Sequence, residues 1–270
     1  RSMICIFLIL LALFQAVMVD YLHSSPASYQ LDAGTWESDE FRAMELGEYV
    51  ASQEHLDMEV LAALMAEHGY DLSQAESLDC DVRALMAAKP AEFEKLQAAY
   101  ETIFGDLSYF PIPQNEAPGE PDISYEDGWG DGRTYGGERL HEGCDIMGDE
   151  RPRGFYPVVS MSGGTVEKVG WLEQGGWRIG VRSRSGAYLY YAHLERYSRD
   201  WQEGDEVEAG ELLGFMGDSG YGAEGTTGQF PVHLHVGIYL RTDRYEELSV
   251  NPYWVLRWLE KYRLKARFSG

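Results

Sequence analysis

The pattern of apolar and polar positions changes character twice along this chain. Residues Ile4 to Val19 read ICIFLILLALFQAVMV, an apolar run in which Gln15 is the one polar residue. Extended from Met3 to Leu22, the run reaches the roughly 20 residues that cross a bilayer core, and takes in Asp20. A cleaved secretory signal has a shorter apolar core followed by a small-residue cleavage site, and Gln15 to Asp20 offers no clean one. The pattern therefore predicts an uncleaved membrane anchor over residues 1–22; a cleaved signal, giving a secreted protein, is the alternative. Arg1 before the run and acidic residues after it place the N-terminus in the cytoplasm and the rest of the chain outside.

From residue 38 to 106 the apolar positions recur at helical spacing. Asp57 is placed to cap a helix whose face carries Val60, Leu61, Leu64 and Met65, with Gly69 as its stop. Pro90 is placed to open a second helix, with Phe93, Leu96, Ala99, Tyr100 and Phe104 on one stripe and Gly105 at its end. Residues 107–139 then break the pattern. Phe110-Pro-Ile-Pro113 and Asn115-Glu-Ala-Pro-Gly-Glu-Pro121 predict extended chain, and the glycine-rich stretch 128–137 predicts a loop leading towards a site. No Gly-Lys-Ser/Thr follows those glycines, which argues against a phosphate loop.

Between Leu140 and Leu240 the period falls to two. Short strands are predicted over 156–160, 165–169, 177–182, 187–194, 212–216 and 233–240, with glycine turns between them. Asn251 and Pro252 are placed to start a closing helix whose stripe of Val255, Trp258, Leu259 and Tyr262 packs on the sheet. The expected class is α+β: an anchor (1–22), an acidic helical region (38–106), a Pro/Gly-rich linker (107–139) and a mainly β unit with a C-terminal helix (140–265).

Charge and cysteine content narrow the function classes. Lys and Arg number 22 against 45 Asp and Glu, a formal net charge of −23 over 270 residues. Such a chain repels nucleic acids and anionic lipid headgroups. Between Asp20 and Asp127 only Arg42, Arg83, Lys89 and Lys95 are cationic, so the helical region offers an acidic face to a protein partner or simply to solvent. Cys5, Cys80 and Cys144 imply no disulfide framework.

The chemistry sits in the β region. His141 and Asp145, in His-Glu-Gly-Cys-Asp, and His233 and His235, in His-Leu-His, are imidazole and carboxylate groups of the kind that hold a catalytic zinc. On a strand His233 and His235 share one face while Leu234 and Val236 point to the core. Gly143 permits the turn that lets His141 and Asp145 converge. Cys144 reads as a packing residue. By alternation His193 shares a face with Leu189 and Tyr191; beside the other histidines it becomes an acid/base candidate.

Residues 141–239 resemble the catalytic domain of the M23 (lysostaphin-type, LytM-like) zinc metallopeptidases. The resemblance is carried by His-Glu-Gly-Cys-Asp145, Tyr156-Pro-Val-Val-Ser, Gly164-Thr-Val, Tyr191-Ala-His-Leu194, Gly204-Asp-Glu-Val, Gly214-Phe-Met-Gly-Asp-Ser-Gly220 and His233-Leu-His235. It implies a mainly antiparallel β domain of the duplicated hybrid motif type. It implies one Zn2+ per chain held by His141, Asp145 and His235, with His193 and His233 as catalytic histidines. The implied activity is cleavage of peptide bonds in bacterial peptidoglycan outside the cytoplasmic membrane. A catalytically silent regulator of cell-wall hydrolases is the alternative. A closed structural zinc site is a poorer fit, since it would more often use four ligands including cysteines. The chain departs from the family at Cys144 and in a long stretch, 221–232, before His-Leu-His. The linker is also a candidate autoinhibitory segment, with Asn115 as a possible blocking ligand.

Overall fold

The computed structural model describes residues 2–24, 31–32, 34–117, 119, 122–134, 137–148 and 151–268. Arg1, used above for orientation, and Pro118, Glu120, Pro121, Tyr135 and Gly136 of the expected linker lie outside the described residues. The helices are α1 (Ser2–Ser24), α2 (Asp39–Ala43), α3 (Gly47–Ala51), α4 (Met58–Glu67), α5 (Val82–Ala88), α6 (Pro90–Phe104) and α7 (Tyr253–Leu259). The strands are β1 (Gln114–Asn115), β2 (Gly132–Arg133), β3 (Arg139–Leu140), β4 (Cys144–Met147), β5 (Pro157–Val159), β6 (Gly164–Leu172) and β7 (Gly176–Ser183). They continue with β8 (Tyr188–Tyr197), β9 (Glu206–Val207), β10 (Leu212–Met216), β11 (His233–Leu240), β12 (Leu248–Val250) and β13 (Lys265–Ala266).

Local chemistry explains the boundaries. The Asp57 side chain accepts from the amides of Glu59 and Val60, as a capping residue should, and Gly69 leaves α4 with φ +66°. Pro90 occupies the first turn of α6, where its missing N–H is no loss. Asn251 caps from one residue further out than expected: Tyr253 N–H donates to its side chain at 2.9 Å. The 23-residue α1 is exposed over Met3–Tyr21 and is long and apolar enough to cross a membrane or to serve as a signal sequence.

Nine strands form one sheet in which every pairing is antiparallel. Its main path runs β12-β11-β8-β7-β6-β9, with β4 added to β11 and β5 joined through β10 to β8. Leu234, Val236 and Ile238 of β11 and Leu189 and Tyr191 of β8 are fully buried on the core side. The opposite face carries His233, His235 and Tyr239, together with Tyr188, Tyr190 and Ala192, and forms the floor of a cleft. That face is kept low by glycines. A Cβ on Gly180 would stand 2.0 Å from the Tyr188 hydroxyl, and one on Gly175 would stand 2.2 Å from that of Tyr190.

The helical region and the sheet share one continuous apolar core. Phe41 packs on Tyr100 with tilted rings, and Phe104 meets Trp258 of α7 edge-on. The Arg42 guanidinium donates to the Ser249 carbonyl of β12, and Arg257 of α7 pairs with Glu48 of α3. So α7 packs against the helices, through Phe104 of α6 and Glu48 of α3. The described residues of the 107–139 segment are also held. Phe110 and Ile112 are fully buried, β1 pairs with β13, and Trp129 donates its indole N–H to Ser249.

One departure from simple alternation shapes the site. Between its pairings with Leu194 and Tyr191, β7 advances two residues while β8 advances three, so β8 carries a bulge at Ala192–His193. His193 has φ +63°, in the left-handed region that few non-glycine residues adopt. The bulge turns His193 away from the core face of Leu189 and Tyr191, which strict alternation assigns to it, and into the cleft.

Opposite the bulge lies Gly176, with φ +65°; a Cβ there would come within 2.2 Å of the Ser219 carbonyl oxygen. Gly176→Ala is expected to destabilise the protein by at least about 2 kcal/mol, from backbone strain plus the clash. Urea unfolding would show it; an unchanged midpoint would contradict this account of the bulge.

Candidate metal and acid/base site

The site is built on the pairing of β4 with β11, which sets Asp145 directly opposite His235. His141, just before β4, closes the group. Its Nε2 lies 3.1 Å from Asp145 Oδ1 and 3.0 Å from His235 Nδ1, and His235 Nδ1 lies 2.9 Å from the same Oδ1. These three atoms form a nearly equilateral triangle and a group able to hold a metal ion. Gly143 matters here for space rather than for a turn. A Cβ on it would sit 2.5 Å from His235 Cε1 and 2.5 Å from the Val236 carbonyl oxygen.

Neighbouring groups orient two of the three donors. His141 Nδ1 lies 2.8 Å from the Gly128 carbonyl, which can only accept, so Nδ1 carries the proton and the neutral ring turns a lone pair at Nε2 into the triangle. Arg133 Nη2 donates to Asp145 Oδ2 at 3.0 Å, leaving Oδ1 for the triangle. Burial by itself would raise the Asp145 carboxyl, but in the metal-free protein hydrogen bonds from the His141 and His235 rings, where the facing nitrogens carry a proton, outweigh it and hold the group far below the usual carboxylate range. The segment expected as a linker thus supplies two supports, Gly128 and Arg133. Asn115 takes no part: its amide donates to the Phe268 carbonyl at 2.8 Å, and it does not line the cleft.

His233 and His193 stand beside the triangle with ring centroids 4.6 Å apart. His233 Nδ1 donates to the Pro231 carbonyl and His193 Nδ1 to the Ser219 carbonyl, each at 2.8 Å. Both rings therefore keep Nε2 free to accept a proton, and His233 Nε2 lies 3.7 Å from Asp145 Oδ1. The long 221–232 stretch covers them: Phe230 packs edge-on against His193 at 4.6 Å, and Tyr221 lies 5.9 Å from it. Burial pushes the His193 imidazole well below its ordinary value, with repulsion from His233 and His235 adding to it. Burial also lowers His233 and His235, against the pull of Asp145.

The cleft has a volume of about 470 Å³. All five residues singled out from the sequence line it. Cys144 does not: it is fully buried on the other face, and burial raises its thiol far above the usual range. Gly128, Arg133, Ser219 and Phe230 carry no site signal in the sequence, because their contacts span 12 to 37 residues or depend on loop shape. Lys168 and Arg178 on the cleft wall carry none either.

An antiparallel sheet with a cleft ending in a His-Asp-His group has the build of a LytM-like peptidase. Residues 139–252 match the family model described as peptidase family M23. A Ruminococcus gnavus protein described as a glycyl-glycine endopeptidase lytM superposes with a TM-score of 0.77 at 39% identity, over 90% of this chain and 99% of that one. The L-Ala–D-Glu endopeptidase of Bacillus subtilis is 42% identical over 177 residues, which is 66% of this chain and 51% of the relative. Lysostaphin of Staphylococcus simulans is 36% identical over 67 residues, 24% of this chain and 13% of that protein. The chain belongs to peptidase family M23. Its match spans about half the length of the Bacillus relative.

The lowered histidines make stability depend on pH. As pH falls below about 6.5, the unfolded chain takes up protons that the buried imidazoles refuse, so the folded state loses stability. The corresponding window for Asp145 lies below 3.8 and does not overlap. Metal-free protein should unfold at lower urea at pH 5.5 than at pH 7.5, and His193→Asn should shrink the difference. Equal midpoints for the parent protein would contradict the burial argument.

Proposed function

We propose that this chain is a zinc-dependent endopeptidase that cuts peptide bonds of bacterial peptidoglycan outside the cytoplasmic membrane, with α1 as anchor or signal. The proposal is carried by the triangle of His141 Nε2, Asp145 Oδ1 and His235 Nδ1, with edges of 2.9–3.1 Å. Ligand atoms in a tetrahedral zinc site with bonds of about 2.0–2.1 Å stand roughly 3.3 Å apart, so the triangle fits with a slight expansion. The donor chemistry fits as well: two imidazole lone pairs and one carboxylate oxygen converge, and the orienting hydrogen bonds take up the outer atoms of His141 and Asp145. A three-ligand zinc supplies a Lewis acid for the scissile carbonyl and lowers the pKa of water.

The remaining steps belong to the chain's own side chains. His193 and His233 are neutral near pH 7, because burial holds both below the ordinary histidine value. Each offers Nε2 as a proton acceptor towards the site. One such ring takes the proton of the attacking water and returns it to the leaving amine. Phe230 and Tyr221 keep bulk water from the two rings. The 140–265 unit is the catalytic part in this reading, and 107–139 is its brace. The acidic helices remain available to a protein partner through their exposed outer face.

The silent-regulator alternative is disfavoured by the retention of three donors and two free imidazoles in one cleft. Peptidoglycan digestion by the zinc-loaded full chain, with mass spectrometry of the fragments, tests activity and names the cleaved bond. The Bacillus relative makes L-Ala–D-Glu the first bond to look for. His235→Ala should lose both zinc and activity. His193→Asn, which tolerates the left-handed backbone, should keep one zinc and lose about 100-fold or more in kcat. A folded, zinc-loaded protein that leaves peptidoglycan intact would overturn the proposal.

A further inference from the structure

The cleft carries cations that the triangle does not use. Lys168 on β6 and Arg178 on β7 both line it. The register pairs Lys168 with Gly180 and Gly170 with Arg178, so the two cations are diagonal neighbours on one face. Diagonal neighbours of this kind stand roughly 7–8 Å apart at the backbone, close enough to repel each other and to grip one anion. Neither has a carboxylate within ion-pair reach among the described residues.

The next turn of the same ladder shows the contrast. Arg182 on β7 is held by Glu167 in two hydrogen bonds of 2.6 and 2.7 Å. Opposite Arg178 stands Gly170 instead, with φ +110° and nothing within 4 Å of where a Cβ would be. Arg178 Nη1 is buried and has no hydrogen-bond partner. A buried guanidinium nitrogen without an acceptor is costly, and more so for a charged donor. In a chain of net charge −23, acidic side chains are plentiful, yet none fills this gap. The cleft's own glutamates, Glu142 and Glu247, are exposed and form no ion pair with Arg178.

Position relates the pair to the proposed chemistry. His235 on β11 is paired with Ala192 on β8, and Arg178 lies one strand beyond, at the bulge. Two strand spacings of about 4.7–4.9 Å put the Arg178 backbone roughly 10 Å from that of His235. An extended peptide covers that distance in about three residues, and the long arginine side chain shortens it.

We propose that Lys168 and Arg178 form a carboxylate-binding subsite that selects substrate peptides carrying a free carboxylate next to the scissile bond. The proposal rests on the peptidase reading above and assigns its substrate class. Arg178 supplies a two-pronged donor for the carboxylate, Lys168 a second positive charge, and Gly170 the room for the group to enter.

The test is a binding measurement that needs no turnover. The probes are acetyl-L-Ala-D-Glu with its γ-carboxyl blocked as the methylamide and its α-carboxylate free, and the same peptide with an α-carboxamide. At low ionic strength the parent protein should bind the acid at least about tenfold more tightly than the amide. Arg178→Gln should bring the two within about twofold while zinc content stays at one per chain, and Arg178→Lys should keep part of the preference. Equal binding of the two peptides by the parent protein, or no binding of either, overturns the subsite. So does a preference that survives in the Lys168→Gln/Arg178→Gln double variant. The parent comparison decides the matter even if a variant fails to fold. A protein that prefers the acid but cuts neither peptide nor peptidoglycan supports the subsite and contradicts the peptidase reading.

Discussion

The site depends on one half-buried carboxylate. Asp145 is partly withdrawn from water, which is costly for a charge, and is held in place by two imidazoles on one oxygen and a guanidinium on the other. Each partner comes from a different part of the chain. His141 precedes β4, His235 lies across the β4–β11 ladder, and Arg133 sits on the short β2–β3 hairpin. Remove any of them and the carboxylate is left under-satisfied in a poorly solvated place. The arrangement explains why a strand as short as β4 is pinned so firmly to β11, and why Gly143 has no side chain beside the His235 ring.

Around that group the sheet performs two separate tasks. Its buried face makes one core with the helices, and this core fixes the height and twist of β8 and β11. Its open face is cleared by glycines, so that tyrosines and histidines define a floor instead of filling it. The β8 bulge links the two tasks. It interrupts the core-facing alternation at His193, and the resulting left-handed backbone is sustained because Ser219 holds the strand ends: its hydroxyl accepts from Trp177 N and donates to the Leu194 carbonyl. Strain at a residue that faces the proposed chemistry is thus secured by Ser219, whose carbonyl also accepts from the His193 ring.

Much of this was legible in the sequence, and the misses have physical reasons. The period-two runs located the major strands, and the capping chemistry of Asp57 and Pro90 located the helices, because both signals are local. His-Leu-His revealed a shared face for the same reason. Asp145 could be named but not placed, since its strand is only four residues long. Alternation gives His193 the core face because it cannot register one extra residue in a ladder. Gly128, Arg133 and Phe230 carry no local signal, as their meaning comes from what the fold brings beside them. The 107–139 stretch reads as a linker by composition, yet Phe110 and Ile112 sit in the core and Gly128 supports His141. Proline and glycine mark irregular backbone, and irregular backbone can be well packed.

The central claim is that two imidazoles and one carboxylate, and no thiolate, hold a single zinc at the end of the cleft. X-ray absorption at the zinc edge of the reconstituted full chain tests it most directly. The account predicts nitrogen and oxygen neighbours at about 2.0–2.1 Å with an imidazole signature from two rings. A sulfur neighbour at about 2.3 Å, or a folded protein that retains no zinc, would contradict it.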